Sequence, residues 1–284
     1  MQAHDNLASD NTPAVEFWRD PALPFFEGRR AVGSVSCYTP HTHPTFSIGI
    51  VDAGTSMFSL PDRETPIRPG DVVLIAANEV HSCNPAERAS WSYRMFHLDH
   101  AWLCALLDEA GLSPQMALVS RVLRSPRARV LMDNVSDAMR DGEDALQKET
   151  VLIDVLCELF AAFCTSSSEV TSDTHSDAAR GNADLQPAHD HLQHHCCDKI
   201  GLDTLAQLAG TGRYQLIRQF RRRYGMTPHA LQLDMRINLA RDFLRRGASL
   251  ADVAYRTGFA DQSHFHRAFK ARVAATPAQY QLGG

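Results

Sequence analysis

The sequence lacks any apolar run long enough to cross a membrane. A spanning helix needs about 20 consecutive apolar residues, and no run of that length occurs in the 284-residue chain. The opening stretch MQAHDNLASDNTPAVEF is polar and acidic, which is untypical of a secretory signal. We therefore expect a cytoplasmic protein that does not contact a membrane.

The chain also lacks the even cysteine set of a disulfide-stabilised secreted protein. Its cysteines number seven, which favours reduced thiols. They are Cys37, Cys83, Cys104, Cys157, Cys164, Cys196 and Cys197. The last two end the segment HDHLQHHCC, whose composition suits a soft metal ion but which can equally form the opening helix of a domain.

Basic residues are few relative to acidic ones in the first two thirds of the chain. Residues 1–184 hold 14 Lys and Arg against 26 Asp and Glu, whereas residues 185–284 hold 14 against 7. The net charge of −5 therefore combines a part of −12 with a part of +7. This asymmetry predicts two domains, of which the basic one binds nucleic acid.

Residues from Ala31 to about Asp99 have the pattern of short β-strands. Runs such as VGSVSCY, TFSIGIVD, DVVLIA and WSYRMFHLD are separated by Gly, Pro, Asn and Asp. Six or more short strands at this spacing predict a small antiparallel barrel or sandwich.

From Asp99 to Cys164 the apolar period becomes helical and predicts three helices. The last helix has a wide apolar stripe that includes Leu152, Leu156 and Leu159. Such a face has to be covered, either by the β-structure of the same chain or by the same helix of a second subunit.

The last third of the chain contains one pattern twice. LAQLAGTGRYQLIRQFRRRYGMTP begins at Leu205, and VAYRTGFADQSHFHRAFKARVAATP begins at Val253. Phe220 and Phe269 occupy the same place in the two copies and lie 49 residues apart. Each copy has a short helix, a turn with glycine and a second helix, which is the order of a helix-turn-helix.

Local signals mark the turns and ends of these helices. Gly210 and Gly258 stand in the two turns, where a positive φ favours glycine. Asp261 can cap the second helix of the later copy, and Gly212 is a weaker cap in the earlier one. The intervening LQLDMRINLARDFLRRG predicts a connecting helix that ends at Gly247.

The outer face of each second helix carries side chains that suit base recognition. Arginine can pair with guanine, and glutamine with adenine, in the major groove. The candidates for DNA contact are Arg213, Tyr214, Ile217, Arg218, Arg221, Gln262, Ser263, His266, Arg267 and Lys270.

This part of the chain resembles the DNA-binding domain of the AraC/XylS family of transcription regulators. The residues that carry the resemblance are Ala254, Gly258, Phe259, Gln262, His264, Phe265, Arg267, Phe269, Lys270, Pro277 and Tyr280. The resemblance implies two helix-turn-helix units on a shared helix, which enter successive major grooves of one DNA face. It departs at Gly212, Leu231 and Ala275, where the family more often has Ser, Tyr and Gly.

The resemblance also implies a cupin-like sensor ahead of the DNA-binding domain. His41 and His43 form a His-x-His pair, and His81 follows a Pro-Gly turn, as on the metal-binding face of cupins. Alternation along a strand would place the first two imidazoles on one face. The acidic ligand that cupins add is missing, because residues 46–48 read Phe-Ser-Ile. Three histidines can still hold a divalent metal such as zinc or iron, or they can fix a small ligand.

The mouth of a β-barrel is a common ligand site. The candidates for effector contact in this domain are Tyr38, His41, His43, Phe46, His81, Trp91 and Tyr93.

Together these patterns predict a multi-domain α+β protein. We expect a flexible N-terminus at 1–14, a cupin-like β-barrel sensor with a helical dimerisation segment at 15–164, a flexible linker at 165–188, and an all-α double helix-turn-helix at 189–284. The expected function is a transcription regulator, not an enzyme, that binds double-stranded DNA and a small-molecule effector. The resemblance further implies a homodimer and contact with RNA polymerase. Two alternatives stay open: a metal-dependent cupin enzyme fused to a DNA-binding domain, and a regulator without a ligand.

Overall fold

The computed structural model describes residues 14–87, 89–141, 144–164 and 184–283. The predicted flexible N-terminus, apart from Ala14, and the predicted linker as far as residue 183 lie outside these ranges. Within them, no helix combines the length and the apolarity needed to cross a bilayer.

The N-terminal domain is built from two antiparallel sheets. Its strands are β1 Ala14–Trp18, β2 Phe26–Ser34, β3 Phe46–Ala53, β4 Ser56–Ser59, β5 Glu64–Ile67, β6 Val72–Ile75, β7 Ser82–Asn84, β8 Trp91–Leu98 and β9 Arg121–Leu123. The six-stranded sheet has the order β1-β2-β8-β3-β6-β9, and the three-stranded sheet has the order β5-β4-β7. The β-structure thus begins before Ala31, where the sequence pattern places its start.

Alternation along the strands gives the larger sheet two different faces. Ile48 and Ile50 of β3 and Phe96 of β8 join the cluster formed with the helices. Val51 of β3 and Tyr93 of β8 join the cluster shared with the smaller sheet. One face of the larger sheet is therefore the helix face, and the other encloses an interior with the three-stranded sheet.

Four helices follow in this domain and cover the helix face. They are α1 His100–Glu109, α2 Pro114–Ala117, α3 Pro126–Asp141 and α4 Ala145–Phe163. The apolar stripe of α4 lies on the sheet, where the rings of Phe160 and Phe46 are 5.7 Å apart. Leu152, Leu156 and Leu159 are at most 1% exposed. Of the two coverings considered above, the β-structure of the same chain is the one observed.

The C-terminal domain is all-helical. Its helices are α5 Gln186–His194, α6 Leu202–Leu208, α7 Arg213–Tyr224, α8 Pro228–Arg245, α9 Leu250–Arg256, α10 Gln262–Val273 and α11 Pro277–Leu282. The boundary predicted at 189 falls inside α5, because Pro187 suits the first turn of a helix and starts it earlier. Ala188 and Leu192 then pack against α6 and α7.

The two helix-turn-helix units form where the repeat predicts them. Gly210 and Gly258 have φ of 61° and 73° in the turns, and Gly247 has φ of 80° after α8. The Asp261 carboxylate caps α10 by accepting a hydrogen bond from the His264 amide at 2.6 Å. Since Gly212 makes no side-chain bond at the start of α7, the first unit has the weaker cap.

The C-terminal domain docks on the N-terminal one through α8, α10 and α11. Arg29 of β2 donates from Nη1 to the Val273 carbonyl at the end of α10, at 2.7 Å. The Phe17 and Tyr280 rings meet edge to face at 5.2 Å. The N-terminal domain therefore directly contacts the C-terminal end of α10, the second helix of the later helix-turn-helix unit.

We predict unequal effects of alanine at the two equivalent turn glycines. A Cβ at Gly258 would lie 2.0 Å from the Cys197 carbonyl oxygen, whereas nothing lies within 4 Å of one at Gly210. Gly210→Ala should lower the free energy of unfolding by about 1 kcal/mol, the cost of a positive φ, and Gly258→Ala by about 3 kcal/mol or more. Urea unfolding measures both losses, and equal losses would contradict the close approach at Gly258.

Candidate functional site

The predicted base readers lie on the outer faces of α7 and α10. Leu216 and Phe220 of α7, and Phe265 and Phe269 of α10, are fully buried and fix the inner faces. The readers on the exposed side are Arg213, Tyr214, Arg218, Arg221, Gln262, Ser263, Arg267 and Lys270, with Ile217 and His266 half-buried beside them. Both recognition helices therefore present the side chains that the sequence assigns to DNA.

Two of these readers have partners in the described structure. The Arg213 guanidinium forms an ion pair with Asp203 of α6. The Arg218 guanidinium lies 5.8 Å from the centroid of the Tyr214 ring. These contacts orient the long side chains at the start of α7, where the side-chain cap is missing.

A second candidate site is a cavity of about 40 Å³ between the two domains. From the sensor it is lined by Phe17, Arg29, Tyr38, His41, His43, His81, Cys83, Trp91, Tyr93, Met95 and His97. From the DNA-binding domain it is lined by Arg241, Arg272 and Val273. The wall is therefore composite, and helices α8 and α10 close it.

The structure brings together six of the seven residues predicted for effector contact. Phe46 is the exception, and its assignment is wrong. It is fully buried on the helix face of β3, against Phe160. The placement of His41 and His43 on a regular strand is also wrong, because His41 forms only an isolated bridge with His81. This bridge, rather than strand alternation, brings the imidazoles together.

Four histidines meet at this cavity and are held neutral by burial. Burial lowers the pKa of His81 to about 4 and of His97 to about 3, and it lowers the pKa of His41 and His43 well below the usual value. The nearby Arg241 cation adds to the shift at His43 and His97. At neutral pH these rings are uncharged hydrogen-bonding groups.

Arg29 is the charged group of the sensor that faces the cavity from β2. It is 7% exposed, and its Nε and Nη2 atoms have no hydrogen-bond partner. Tyr38 and Tyr93, whose hydroxyls share a short hydrogen bond, lie with ring centroids 5.8 and 5.7 Å from its guanidinium. Two unpaired buried donors mark a place where an anionic or carbonyl group would be stabilised.

Arg241 of α8 enters the same region from the DNA-binding domain. Its Nη1 donates to His43 Nδ1 at 2.7 Å, and its Nη2 lies 3.4 Å from Glu27 Oε1. The Tyr280 hydroxyl donates to the other Glu27 oxygen at 2.9 Å. Burial alone would raise the pKa of Glu27, but Arg241 and Arg19 outweigh it and lower the pKa to about 2.

Asp234 of α8 is a second buried acid at the domain contact. It accepts hydrogen bonds from the Thr42 hydroxyl at 2.6 Å and the Thr42 amide at 3.1 Å. Its ion pair with Arg272 is long, with 3.8 Å between Arg272 Nε and Asp234 Oδ1. Burial raises the pKa of Asp234 to about 6, because these partners offset the loss of hydration only in part.

Three of the histidines fit part of a metal-binding set. The three rings can each offer one nitrogen, and these nitrogens of His41, His43 and His81 lie within 4.8 Å of one another. No other group of three or more His, Cys, Asp or Glu residues that could hold a metal ion occurs in the described ranges. His41 and His81 donate from Nδ1 to the carbonyls of Thr39 and Glu79, at 2.9 and 2.8 Å. This is the orientation that metal-bound imidazoles use. His43 differs, because Arg241 occupies its Nδ1.

The histidine- and cysteine-rich segment before the first helix-turn-helix has a structural role. It forms α5 and the turn after it, and the Cys196 carbonyl accepts a hydrogen bond from Arg236 Nε at 2.6 Å. Burial raises the pKa of Cys196 to about 11, so its thiol is protonated at neutral pH. The opening-helix alternative describes this segment.

Sequence reasoning missed the arginines of the cavity. Arg29 stands in the unremarkable run EGRRAV, and Arg241 lies 198 residues from its partner His43. Arg272 falls on the inner side of α10, 8% exposed, in a helix whose other basic residues were assigned to DNA. Only the periodicity of α8 and α10, which turns these positions inward, was available as a signal.

Comparison with known proteins identifies both domains. A helix-turn-helix domain model matches residues 205–282, and an AraC-like ligand binding domain model matches residues 26–156. The uncharacterised HTH-type transcriptional regulator YbfI of Bacillus subtilis is 28% identical over 246 residues, covering 86% of this chain and 87% of that protein. The HTH-type transcriptional activator RhaS of Escherichia coli is 24% identical over 255 residues, covering 87% and 88%.

Solved structures show the same fold. A crystal structure of an apo variant of ToxT from Vibrio cholerae aligns with a TM-score of 0.56 at 14% identity, covering 90% of this chain and 97% of ToxT. A ToxT structure with a bound unsaturated fatty acid aligns with a TM-score of 0.50 at 14% identity, covering 96% of each chain.

The two matched domains define a DNA-binding transcription regulator whose N-terminal domain binds a ligand and controls DNA binding. The chain belongs to the AraC family of helix-turn-helix transcription regulators. The members of this family are regulators and not enzymes, which overturns the alternative of a metal-dependent cupin enzyme.

We predict a pH-dependent gain from Asp234→Asn. A carboxyl group whose pKa is raised by folding stabilises the folded state below its unfolded value, and this contribution is lost as the pH rises through the folded value of about 6. Asparagine cannot ionise, so its advantage in unfolding free energy over the native chain should grow by about 2 kcal/mol between pH 4 and pH 8.

Urea unfolding at both pH values measures this gain. Asp242→Asn is the matched control, because the Asp242 side chain lies on the same helix, is 33% exposed against 2% for Asp234, and pairs with Arg246 at 2.8 Å. Its effect should differ little between the two pH values. A pH-independent effect of Asp234→Asn would contradict the raised pKa.

Proposed function

We propose that the effector of this regulator is a small organic anion that binds in the composite cavity between the sensor and the DNA-binding domain. The observation that carries the proposal is the pair of unpartnered donors, Nε and Nη2, on the buried Arg29. Arg241 and Arg272 add two more cations to the cavity wall, and Arg272 Nε also lacks a hydrogen-bond partner. Trp91, Tyr93 and the other rings of the wall suit an apolar body attached to the anionic group.

The size of the cavity supports a coupling between effector and DNA. About 40 Å³ holds only a few atoms, whereas pockets for organic ligands commonly reach about 300 Å³ or more. An effector of ordinary size must therefore displace side chains of the wall, to which α8 and α10 contribute Arg241, Arg272 and Val273. Arg29 also donates to the Val273 carbonyl at the end of α10. An anion on the free Nε and Nη2 of Arg29 would therefore lie beside the contact that holds the second recognition helix.

The coupling is a shift between a docked and a released DNA-binding domain. A ligand can move such an equilibrium only by binding the two states with different affinity. The composite wall provides that difference, because the released state lacks Arg241 and Arg272 around the ligand. The fatty acid bound to the similarly folded ToxT is itself an organic acid, which agrees with this ligand class. A homodimer and contact with RNA polymerase stay predictions from the family resemblance.

The effector proposal is tested with carboxylic acids, aliphatic and aromatic, each paired with its uncharged methyl ester. We expect acids that bind to raise the melting temperature of the full-length protein, and their esters to bind at least about tenfold more weakly, because charged hydrogen bonds are the stronger ones. Arg29→Gln should abolish the preference for the acid.

Arg30→Gln is the matched control for Arg29→Gln. Arg30 follows on the same strand and is half-buried on the other side of the sheet, where alternation directs it away from the cavity. It should bind acids like the native protein. Esters that bind as tightly as acids, or an Arg29→Gln variant that keeps the preference, would show that charge does not select the effector.

The DNA-contact assignments are tested with two substitutions on α10. Arg267→Ala should cost roughly 1–3 kcal/mol of binding to the specific site and relax the preference at one base pair. Lys270 is assigned to a phosphate contact. Lys270→Ala should therefore weaken binding to specific and random DNA about equally, and it should reduce the salt dependence of the binding affinity. Nuclease protection upstream of the gene, with the Arg218→Ala, Arg267→Ala double variant beside it, locates the site. Equal losses on specific and random DNA for Arg267→Ala would contradict a base-reading role.

A further inference from the structure

The three-histidine cluster has two members that are prepared for a metal ion. His41 and His81 each donate their Nδ1 hydrogen to a backbone carbonyl two residues earlier in the chain. A neutral imidazole that donates from Nδ1 carries its lone pair on Nε2. The backbone bridge between these residues brings their ring centroids to 4.6 Å. The carbonyl partners fix the ring orientation, as the hydrogen-bond partners of metal-bound imidazoles do.

The third member, His43, is hydrogen-bonded to Arg241 of the DNA-binding domain. His43 Nδ1 receives a hydrogen bond from Arg241 Nη1 at 2.7 Å. A guanidinium has only donors, so His43 must accept with Nδ1 and carry its own hydrogen on Nε2. In this tautomer neither nitrogen of His43 has a lone pair left for a metal ion.

Either way of recruiting His43 breaks its bond to Arg241. If the metal binds Nδ1, it takes the lone pair that Arg241 uses. If the metal binds Nε2, the hydrogen of the neutral ring moves to Nδ1, which then faces the Arg241 donor with a hydrogen of its own. A divalent ion would also lie close to the Arg241 cation in a buried region, where repulsion between like charges is strong.

We propose that His41, His43 and His81 bind one divalent transition-metal ion of the zinc or ferrous class, and that this ion and the docked position of Arg241 exclude each other. Neutral imidazoles suit these ions, and three of them leave an open coordination position. Metal binding in the sensor therefore opposes docking of α8, and docking opposes metal binding by the same factor. This metal site lies in the cavity of the proposed effector but uses different side chains, so its test does not depend on Arg29.

The first experiment is a calorimetric titration of the full-length, untagged and chelator-treated protein with Zn²⁺. One ion should bind per chain, and His41→Ala and His81→Ala should each weaken binding at least about tenfold. Arg241→Met keeps the length of the side chain and removes the competing donor. It should bind Zn²⁺ at least about tenfold more tightly than the native protein, because a charged hydrogen bond no longer has to break.

Two controls separate competition from general effects. Arg245→Met lies one turn further along α8, where Arg245 faces Asp242 at 3.7 Å, and should leave the Zn²⁺ affinity unchanged. The double change His191→Ala, His195→Ala removes histidines of α5 and the following turn that could bind zinc at the surface, and should also have no effect. Asp234→Ala weakens the domain contact at Thr42 without touching a histidine, so it should tighten zinc binding even if Arg241→Met fails to fold.

The outcomes are distinguishable from those of the effector test. Zinc binding by Arg241→Met but not by the native protein would support strong exclusion. The absence of binding in the native, Arg241→Met and Asp234→Ala proteins would overturn the site. Equal zinc affinity in native, Arg241→Met and Asp234→Ala proteins would overturn the exclusion, and binding that survives loss of His41 and His81 would place the ion elsewhere. Since no effector is added, failure here leaves the acid-against-ester comparison untouched.

Discussion

The buried carboxylate of Glu27 is the anchor on which the arrangement of the two domains depends. It accepts hydrogen bonds from Arg19 at 2.9 Å and from the Tyr280 hydroxyl at 2.9 Å, with Arg241 at 3.4 Å. A buried carboxylate is strongly disfavoured without such partners. Because two of the three come from the DNA-binding domain, release of that domain leaves Glu27 with Arg19 alone. Docking therefore supplies hydrogen-bond partners that this buried charge would otherwise lack.

The same region carries more positive than negative charge. Arg29, Arg241 and Arg272 face the cavity, and among the described residues only two of them have an acidic partner there: Arg241 pairs with Glu27, and Arg272 with Asp234. A buried ion pair contributes little net stability, but removal of one partner is costly. The docked state is accordingly sensitive to any charge that enters. An anion is attracted to the arginines, whereas a cation can bind only where Arg241 leaves, so the two kinds of ligand act on one network in opposite ways.

The helix-turn-helix domain could be predicted from the sequence because its signals are local. The cap at Asp261, the positive φ at Gly258 and the buried Phe269 each depend on neighbours a few residues away. The cavity could be predicted only in part. Phe46 was included among the effector contacts although it lies on the helix face, because a one-residue uncertainty in a strand leaves the direction of each side chain open. The periodicity of α8 could indicate that Arg241 faces inward, but not that it meets His43, because the two residues lie 198 positions apart in the sequence.

The composite wall of the cavity has a consequence for the modularity of this regulator. Proteins with separate ligand-binding and DNA-binding domains are often treated as exchangeable parts. Here Arg241, Arg272 and Val273 of the DNA-binding domain line the cavity proposed for the effector. A chimera that joins this sensor to the DNA-binding domain of a relative would alter the chemistry of the cavity along with the operator. Effector preference and operator preference are thus inherited together, and each constrains how far the other can drift.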